Sequence, residues 1–209
     1  MPKNKKILIC VTGGSGSGKS TIAKEVFNLI PKNISKQILC IDNYYKSDES
    51  MLFEQRKLIN YDHPNSFDFE LLKNDIKELM NDVPIKSLSY DYVNHIRKDN
   101  NTAIMPTEVI ILEGIMSCWD KEIVELASLN IFVDTPSDER FIRRLERDIY
   151  ERGRSVKEVI FQWRNSVKPM YKEFIEPQKE RADIIIPWYK LNNRVLYSIN
   201  GAIQELLKV

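Results

Sequence analysis

A glycine-rich segment near the amino terminus carries the clearest chemical signal in the sequence. It fits the pattern G-x-x-x-x-G-K-[S/T] over residues 13–20 and is followed by Thr21. Glycines let a backbone turn tightly and bring its N–H groups close to a polyphosphate. Lys19 supplies a positive charge to the outer phosphates, and the Ser20 hydroxyl can ligate Mg²⁺. We therefore predict a nucleotide phosphate site made of Gly13, Gly14, Ser15, Gly16, Ser17, Gly18, Lys19, Ser20 and Thr21.

The segments on either side of this glycine loop have the patterns of a strand and a helix. Residues 5–11 contain a short apolar run that predicts a buried strand. Ile22, Val26 and residues 29–30 are apolar at helical spacing. A helix that begins near Gly18 would add unpaired N–H groups and a partial positive charge to the loop. The alternative, a glycine-rich turn without a ligand, is disfavoured by the glycines that precede a Lys-Ser pair.

Two acidic residues follow apolar segments and could act on a phosphate. Asp42 follows a strand predicted over residues 36–41 and could accept the proton of an attacking hydroxyl or help to hold Mg²⁺. Glu113 closes the apolar run of residues 109–112 and could meet Mg²⁺ directly or through water. The alternatives are a helix cap or loop residue for Asp42 and a solvent-facing strand end for Glu113. Because ligands collect at the carboxyl ends of parallel strands, we expect both acids near the glycine loop.

An arginine-rich segment lies in the second half of the chain. Six arginines and no lysine occur from residue 140 to residue 154. The planar guanidinium suits phosphate recognition, whereas lysine would serve simple solubility equally well. The segment favours a mobile lid that closes over phosphates, with a salt-bridged solvent-exposed face as the alternative. The arginines are Arg140, Arg143, Arg144, Arg147, Arg152 and Arg154.

Aromatic residues and both histidines are concentrated in the first half of the chain. Flat aromatic faces could sandwich a planar base, although hairpin packing explains any single tyrosine as well. His63 and His95 have no third ligand at metal spacing, which argues against zinc. They are interpreted as neutral hydrogen-bonding groups or as ordinary surface histidines. The tyrosines are Tyr44, Tyr45, Tyr61, Tyr90 and Tyr92.

The alternation of strands and helices predicts a single α/β domain over residues 1–209. Such an order gives a mostly parallel sheet with helices on both faces. A helix is predicted over Phe69–Met80, capped by Asp68 or Ser66, because its apolar residues form one stripe. A shorter helix is predicted within residues 49–58.

Two further segments extend this frame. Residues 83–106 mix β-forming residues with a polar segment at 98–101, which predicts an inserted antiparallel hairpin that turns at that segment. The arginine-rich segment predicts a helical lid over about residues 137–168. Its first helix is expected to be capped at Thr135 or Ser137.

The composition sets limits on partners and compartment. The chain has 209 residues, 43% of them hydrophobic and 29% charged, as expected of a globular protein. Its 31 basic and 30 acidic residues give a net charge of +1, which provides no general reason to expect nucleic acid or an acidic membrane as a partner. Three scattered cysteines without C-x-x-C spacing suggest reduced, mostly buried thiols and a cytoplasmic location. Neither a targeting segment nor a membrane span is expected.

These motifs together resemble the uridine/cytidine kinase family of P-loop kinases over about residues 6–207. The glycine loop is shared by many unrelated proteins, whereas the remaining motifs in this order are far more specific. They are Asp42-Asn43-Tyr44-Tyr45, Tyr61-Asp62-His63-Pro64 with Phe67-Asp68, Tyr90-Asp91-Tyr92 with His95, Leu112-Glu113-Gly114-Ile115, Arg143-Arg144 with Arg147-Asp148, Glu151-Arg152-Gly153-Arg154, and Lys168-Pro169.

The resemblance implies a role for each part of the site. Asp42 would be the catalytic base on the nucleoside 5′-hydroxyl, and Asp62 with Arg144 would hold the ribose 2′- and 3′-hydroxyls. The substrate side would further include Tyr45, Tyr61, Tyr90, Tyr92, His95, Arg154 and Gln162. The lid would contribute Arg147 and Arg152 to catalysis. Lys19, Ser20 and Glu113 would bind ATP or GTP and Mg²⁺, with Asp42 as a further candidate ligand of the metal.

The resemblance also implies a five-stranded parallel sheet, pyrimidine salvage, homotetramers and inhibition by pyrimidine triphosphates. The family more often has D-S-F-Y in place of residues 42–45, and often Phe in place of Tyr61 and Tyr92. Two other functions remain open. One is a related P-loop kinase for pantothenate or ribulose 5-phosphate, which the hairpin aromatic residues do not suit. The other is a pyrimidine-nucleotide-binding regulator without turnover, which the joint presence of Lys19, Ser20 and Asp42 argues against.

Overall fold

A parallel sheet of five strands lies at the centre of the fold, within residues 6–187 and 193–208 that a computed structural model describes. The strands along the chain are β1 (Ile7–Gly13), β2 (Lys36–Cys40), β3 (Ile85–Asp91), β4 (Ile96–Ile104), β5 (Val109–Glu113), β6 (Leu129–Asp134) and β7 (Ile184–Pro187). The sheet order is β2-β5-β1-β6-β7, and β3 pairs with β4 alone. The predicted five-stranded sheet with an inserted hairpin is confirmed. Lys5, the first residue of the predicted first strand, lies outside the described residues.

Helices cover both faces of this sheet. Their bounds are α1 (Lys19–Leu29), α2 (Phe53–Arg56), α3 (Phe69–Met80), α4 (Lys121–Leu126), α5 (Ser137–Tyr150), α6 (Val156–Gln162), α7 (Lys168–Met170) and α8 (Asn193–Leu207). The predicted bounds of α3 are confirmed, and its cap is Asp68, which accepts a hydrogen bond from the Leu71 N–H. The helix predicted within residues 49–58 is reduced to the single turn of α2.

Apolar side chains make the sheet the core of the protein. Leu8 and Ile9 are neighbours in β1 and are both fully buried, but they belong to different clusters because successive strand side chains point to opposite faces. The Leu8 cluster includes Ile76 of α3, whereas the Ile9 cluster includes Ile22 of α1 and Ile199 of α8. Strands buried on both faces explain the continuous apolar runs in the sequence.

The strand register brings the predicted acids together at one edge. β5 lies between β1 and β2, with Glu113 beside Val11 on one side and Cys40 on the other. Gly13 and Asp42 follow those neighbours closely in the sequence. The glycine loop, Asp42 and Glu113 therefore lie at the carboxyl ends of three adjacent strands.

The predicted position of the hairpin turn is wrong. β3 and β4 are joined at residues 92–95, whereas residues 98–101 lie within β4. Most of β4 is exposed, so its polar residues reflect contact with solvent and not a turn. Asn101 has a φ of 53° and lies near the register shift between Lys86 and Leu88. This turn-favouring residue therefore belongs to an irregularity in the pairing of β3 with β4 and not to the hairpin turn.

The predicted cap of α5 is also wrong. The N-cap residue of α5 is Pro136, which makes no side-chain capping hydrogen bond. The hydroxyl of Thr135 donates instead to the Ser17 carbonyl oxygen at 2.8 Å. Thr135 is therefore used to join the start of the arginine-rich helix to the glycine loop.

The segment from α6 to residue 181 is helical throughout but changes its winding. π-helical turns at Trp163–Val167 and Tyr171–Ile175 flank α7, and a 3₁₀ segment, Glu176–Arg181, follows. Pro169 has no N–H for the α-helical ladder, which accounts for a widened turn just before it. The first π-helical turn faces the site described next.

The prediction that the cysteines are mostly buried is confirmed. Cys10 and Cys118 are buried and Cys40 is half-buried, and all three are free thiols. Over the described ranges, no helix combines the length and the apolar character needed to cross a bilayer.

Candidate active site

The glycine loop lies between β1 and α1 and is packed against the arginine-rich helix. Gly18 has a left-handed φ of 88° and directly precedes the first helical residue, Lys19, as predicted. A side chain at Gly16 would collide with the carbonyl of Arg140, and a Cβ at Gly14 would lie 2.5 Å from the Arg140 Nη1. These two glycines are thus required by the contact with α5 as well as by access to phosphate.

The Arg140 side chain is enclosed behind this loop. It is only 3% exposed, and its guanidinium carbon lies 3.7 Å from the ring centre of Tyr171. Its Nε donates to the Thr135 carbonyl oxygen at 3.0 Å. This arginine therefore does not belong to a solvent-exposed face of α5.

Ser20 and Glu113 meet at the sheet edge as candidates for a metal site. The Ser20 hydroxyl donates to Glu113 Oε2 at 3.0 Å. Among the described residues, no three His, Cys, Asp or Glu side chains are grouped to hold a metal by themselves. A pair of hard oxygen ligands suits Mg²⁺, which keeps several waters and is usually completed by phosphate oxygens.

A cleft of about 840 Å³ opens beside the glycine loop. Of the loop residues, Ser15 and Lys19 line it. It brings together nearly all the predicted acceptor-side residues from six separate segments of the chain. These are Asp42, Tyr45, Tyr61, Asp62, Tyr90, Tyr92, His95, Arg144, Arg147, Arg152, Arg154 and Gln162.

Two of the aromatic and histidine residues singled out in the sequence, Tyr44 and His63, lie outside this cleft. The Tyr44 hydroxyl donates to Asp75 in the core. His63 packs edge-on against Phe174, and its Nδ1 accepts a hydrogen bond from the Asn65 N–H. Neither ring is available to a ligand in the cleft.

Asp42 occupies the boundary between the phosphate loop and the rest of the cleft. Its Oδ2 accepts a hydrogen bond from the Tyr92 hydroxyl at 3.0 Å. Burial raises the pKa of Asp42, an effect that the Lys19 ammonium opposes and the Glu113 carboxylate reinforces. A carboxylate of increased basicity next to a phosphate site is suited to accept a proton from an attacking hydroxyl.

Aromatic rings form one wall of the cleft. The Tyr45 ring centre lies 4.9 Å from that of Tyr90 and 5.2 Å from that of Tyr61. The imidazole of His95 is stacked on Tyr61 at 4.9 Å with an interplanar angle of 8°. Burial and the nearby Arg154 guanidinium lower the pKa of His95, so its ring is neutral at pH 7. These residues form a flat, uncharged surface with polar edges.

Asp62 is held by a residue that the sequence did not indicate. The Ser166 hydroxyl lies 3.0 Å from Asp62 Oδ2 and 2.6 Å from Asn60 Oδ1. A hydroxyl carries one proton, so it can satisfy only one of these two acceptors at a time. Ser166 lies in the first π-helical turn, a form of helix that is common at functional sites.

The arginines of the predicted lid converge on Asp148, a second residue whose role was missed. This carboxylate is fully buried. Burial alone would raise its pKa, but the charges of Arg144, Arg147 and Arg152 outweigh that effect and hold the pKa below its ordinary value. Its ion pairs are with Arg144 at 3.5 Å, Arg147 at 2.8 Å, Arg152 at 3.5 Å and Arg154 at 2.9 Å. The sequence signal was an acid at i+4 from Arg144, which also fits a surface ion pair.

Arg144 connects the arginine cluster with both sides of the cleft. Its Nη1 donates to the Ser15 hydroxyl at 2.8 Å, and its Nη2 donates to Gln162 Oε1 at 3.1 Å. Gln162 Oε1 also accepts a hydrogen bond from Arg154 at 2.9 Å. Arg140 and Arg144 are both buried. The alternative that the arginines of α5 form a salt-bridged, solvent-exposed face is therefore excluded.

The sequence profile of the phosphoribulokinase/uridine kinase family matches residues 8–194. The chain belongs to this family. It is 42% identical over 206 residues to a uridine kinase of Ureaplasma parvum serovar 3, a match that covers 99% of this chain and 100% of the relative. It is 43% identical over 208 residues to a uridine kinase of Mycoplasma pneumoniae, covering 100% of this chain and 97% of the relative. A uridine kinase of Ligilactobacillus salivarius is 48% identical over 185 residues, covering 88% and 86% of the two chains.

Solved structures confirm the fold of this family member. A putative fructose transport system kinase from Silicibacter superposes with a TM-score of 0.71 at 19% identity, covering 90% of this chain and 93% of that one. A possible uridine kinase from Bacillus stearothermophilus superposes with a TM-score of 0.57 at 18% identity, covering 89% and 91%.

Proposed function

We propose that the protein transfers the γ-phosphoryl group of ATP to the 5′-hydroxyl of uridine, cytidine or both, and so serves pyrimidine salvage. The observation that carries this proposal is the position of Asp42. It lies between the phosphate loop, represented by Lys19, and an aromatic acceptor pocket in the same cleft. The names of the relatives, uridine kinases matched along nearly their whole length, support the choice of substrate.

In the proposed mechanism Asp42 acts as the general base. It accepts the proton of the 5′-hydroxyl as that oxygen bonds to the γ-phosphorus, while the bond between this phosphorus and the β,γ-bridging oxygen breaks. Lys19 neutralises charge on the phosphoryl group, and Arg147 and Arg152 line the same cleft. Catalysis of this kind depends on positioning and charge neutralisation, which are the features this cleft combines.

Ser20 and Glu113 would hold Mg²⁺ together with oxygens of the donor nucleotide. Bound there, Mg²⁺ would supply positive charge that offsets the negative charge of the phosphates. Either ATP or GTP is a suitable donor in this proposal, because the glycine loop contacts phosphates and not the purine.

The acceptor would be bound through its sugar and its base. Asp62 would accept hydrogen bonds from the ribose 2′- and 3′-hydroxyls, and the Arg144 guanidinium would donate to the same hydroxyls. A carboxylate committed to these hydroxyls disfavours deoxyribose, because it would be left without its partner. The pyrimidine would lie among Tyr61, Tyr90 and His95, whose neutral ring edges can hydrogen-bond to it.

The proposal extends to the lid, the assembly and the location of the protein. Residues 137–168 would close over the bound phosphates, with Asp148 keeping the arginines together until a nucleotide competes for them. A homotetramer is proposed on the family resemblance alone, and a cytoplasmic location is proposed on the scattered, mostly buried cysteines. Light scattering of the purified protein tests the tetramer.

The function is tested with a panel of acceptors at saturating ATP and Mg²⁺, repeated with GTP. The panel contains uridine, cytidine, ribulose 5-phosphate and pantothenate. We expect nucleoside monophosphate from at least one pyrimidine nucleoside and no turnover of the other two acceptors. Absence of product from both nucleosides would overturn the proposal. Phosphorylation of ribulose 5-phosphate or pantothenate would indicate a related kinase, and nucleoside binding without turnover would indicate a regulator.

A further inference from the structure

The side chain of Tyr92 contacts both the candidate base and the candidate lid. It begins the turn of the hairpin between β3 and β4. Its hydroxyl lies 3.0 Å from Asp42 Oδ2, at the end of β2. Its ring centre lies 4.4 Å from the guanidinium carbon of Arg152, beyond α5. One tyrosine thus joins three segments that are far apart in the sequence.

The hydroxyl of Tyr92 can only donate in this contact. Burial and the Asp42 charge raise the pKa of Tyr92, so the phenol keeps its proton at neutral pH. A carboxylate has two oxygens and accepts several hydrogen bonds, so Tyr92 engages one oxygen and leaves the other for a second donor. A charge-assisted hydrogen bond of this kind fixes the orientation of the carboxylate as well as stabilising it.

The ring of Tyr92 provides a platform for Arg152. A guanidinium within about 6 Å of an aromatic face is attracted by the ring quadrupole. Arg152 is held on its other side by Asp148 at 3.5 Å. The ring also meets Tyr90 nearly at right angles, with centres 5.3 Å apart, so its position is fixed by packing as well.

We propose that Tyr92 is a positioning residue for phosphoryl transfer. Its hydroxyl orients Asp42 so that the second carboxylate oxygen receives the acceptor hydroxyl, and its ring holds Arg152 beside the same carboxylate. This inference rests on the proposed function, in which Asp42 is the base. The family often has Phe at this position. The proposal therefore gives the Tyr92 hydroxyl a role that is separate from that of the aromatic ring.

The decisive variant is Tyr92→Phe, which removes the hydroxyl and keeps the ring. We expect kcat with uridine to fall about tenfold, the loss expected for one hydrogen bond to a charged group. KM for ATP and the uridine Kd measured without ATP should stay unchanged, because no binding contact is removed. Tyr92→Leu, which also removes the platform for Arg152, should lower kcat further. The matched control is Tyr197→Phe, a substitution at a tyrosine that is 71% exposed on α8.

Each outcome decides between a positioning role and a simpler one. Wild-type kcat in Tyr92→Phe would overturn the proposal, and so would a rise in the uridine Kd with kcat unchanged, which would make Tyr92 only a wall of the base pocket. These results leave the proposed function intact, because the wild-type enzyme still turns over uridine. If the wild-type protein phosphorylates neither uridine nor cytidine, the proposed function fails and the role of Tyr92 fails with it.

Discussion

The two halves of the cleft are built in different ways. In the proposed function the donor half is a continuous stretch, residues 13–21, whose backbone N–H groups would bind the phosphates. The acceptor half is assembled from side chains that lie as far apart in the sequence as Tyr45 and Ser166. A site made of backbone N–H groups depends on a local pattern of glycines. A site made of side chains from distant segments forms only when the whole fold brings those segments together. Asp42 lies where the two halves meet, which suggests experiments that separate turnover from each kind of binding.

The largest effect is expected where the halves meet. Asp42→Asn keeps the size of the side chain but removes the proton acceptor, so kcat should fall by about 100- to 10,000-fold, the contribution typical of a general base. Binding of uridine and of ATP, measured separately by calorimetry, should be retained. The control is Asp99→Asn, in the exposed strand β4. A kcat close to that of the wild type would remove Asp42 from the mechanism.

A variant of the donor half should affect ATP and spare the nucleoside. Lys19→Met removes the charge on the outer phosphates, so kcat should fall about 100-fold or more, as with other preorganised electrostatic contacts. KM for ATP should rise, and the uridine Kd without ATP should stay at the wild-type value. Weakened uridine binding in this variant would show that the two halves are not separate.

The arginine cluster around Asp148 contacts both halves through Arg144 and can be tested through stability. Asp148→Asn leaves the buried Arg144 and three partly exposed arginines without their carboxylate, so we expect a loss of about 3 kcal/mol in the free energy of unfolding, at the lower end for broken buried pairs. Asp138→Asn, exposed on the same helix, is the control. Urea unfolding measures both variants, and equal stability of Asp148→Asn and the wild type would contradict the buried cluster.

The pH dependence of that stability has a definite sign. The pKa of Asp148 is lowered in the folded state. Its contribution is therefore fully present above the ordinary aspartate pKa of about 3.9 and is lost as the pH falls through the lower folded value. The difference between wild type and Asp148→Asn should be constant from neutral to mildly acidic pH and should narrow below about pH 4. A difference that widens on acidification would assign the stability to another group.

The smallest effect is expected within the acceptor half. The wild-type enzyme should prefer uridine to deoxyuridine, and Asp62→Ala should reduce this preference in kcat/KM by about tenfold, the loss of one hydrogen bond to a charged group. Ser166→Ala should change it less, because this hydroxyl already shares its proton between two acceptors. KM for ATP serves as the control in both variants. An unchanged preference in Asp62→Ala would exclude Asp62 from the sugar site.

The difference between the two halves also explains which features of the fold and the site could be predicted from the sequence. The parallel sheet, the glycine loop and the approach of Glu113 to Ser20 followed from apolar strand patterns and from the geometry of strand ends. The hairpin turn was misplaced because exposure of β4 gives the same polar composition as a turn. Thr135 has the residue type of a helix cap, but the N-cap position of α5 is occupied by Pro136, and the Thr135 hydroxyl donates to the glycine loop.

The side chains that organise the acceptor half could not be found in the same way. Ser166 reaches Asp62 across 104 residues of sequence, so no local spacing records the contact. Asp148 reads as one more acid among charged residues, and only burial makes it the centre of the arginine cluster. The hydrogen bond from Tyr92 to Asp42 likewise depends on how the hairpin lies over the end of β2. Contacts of this kind are set by tertiary packing.

The central claim is that the base faces the 5′-hydroxyl while a second carboxylate holds the other side of the ribose. The position of the phosphate in the product tests it most directly. Uridine, ATP and Mg²⁺ are incubated with the protein, and the product is identified by phosphorus NMR. We predict uridine 5′-monophosphate as the sole phosphorylated nucleoside, formed in equal amount to ADP. Formation of the 2′- or 3′-monophosphate, or release of inorganic phosphate in place of a nucleotide, would contradict the account.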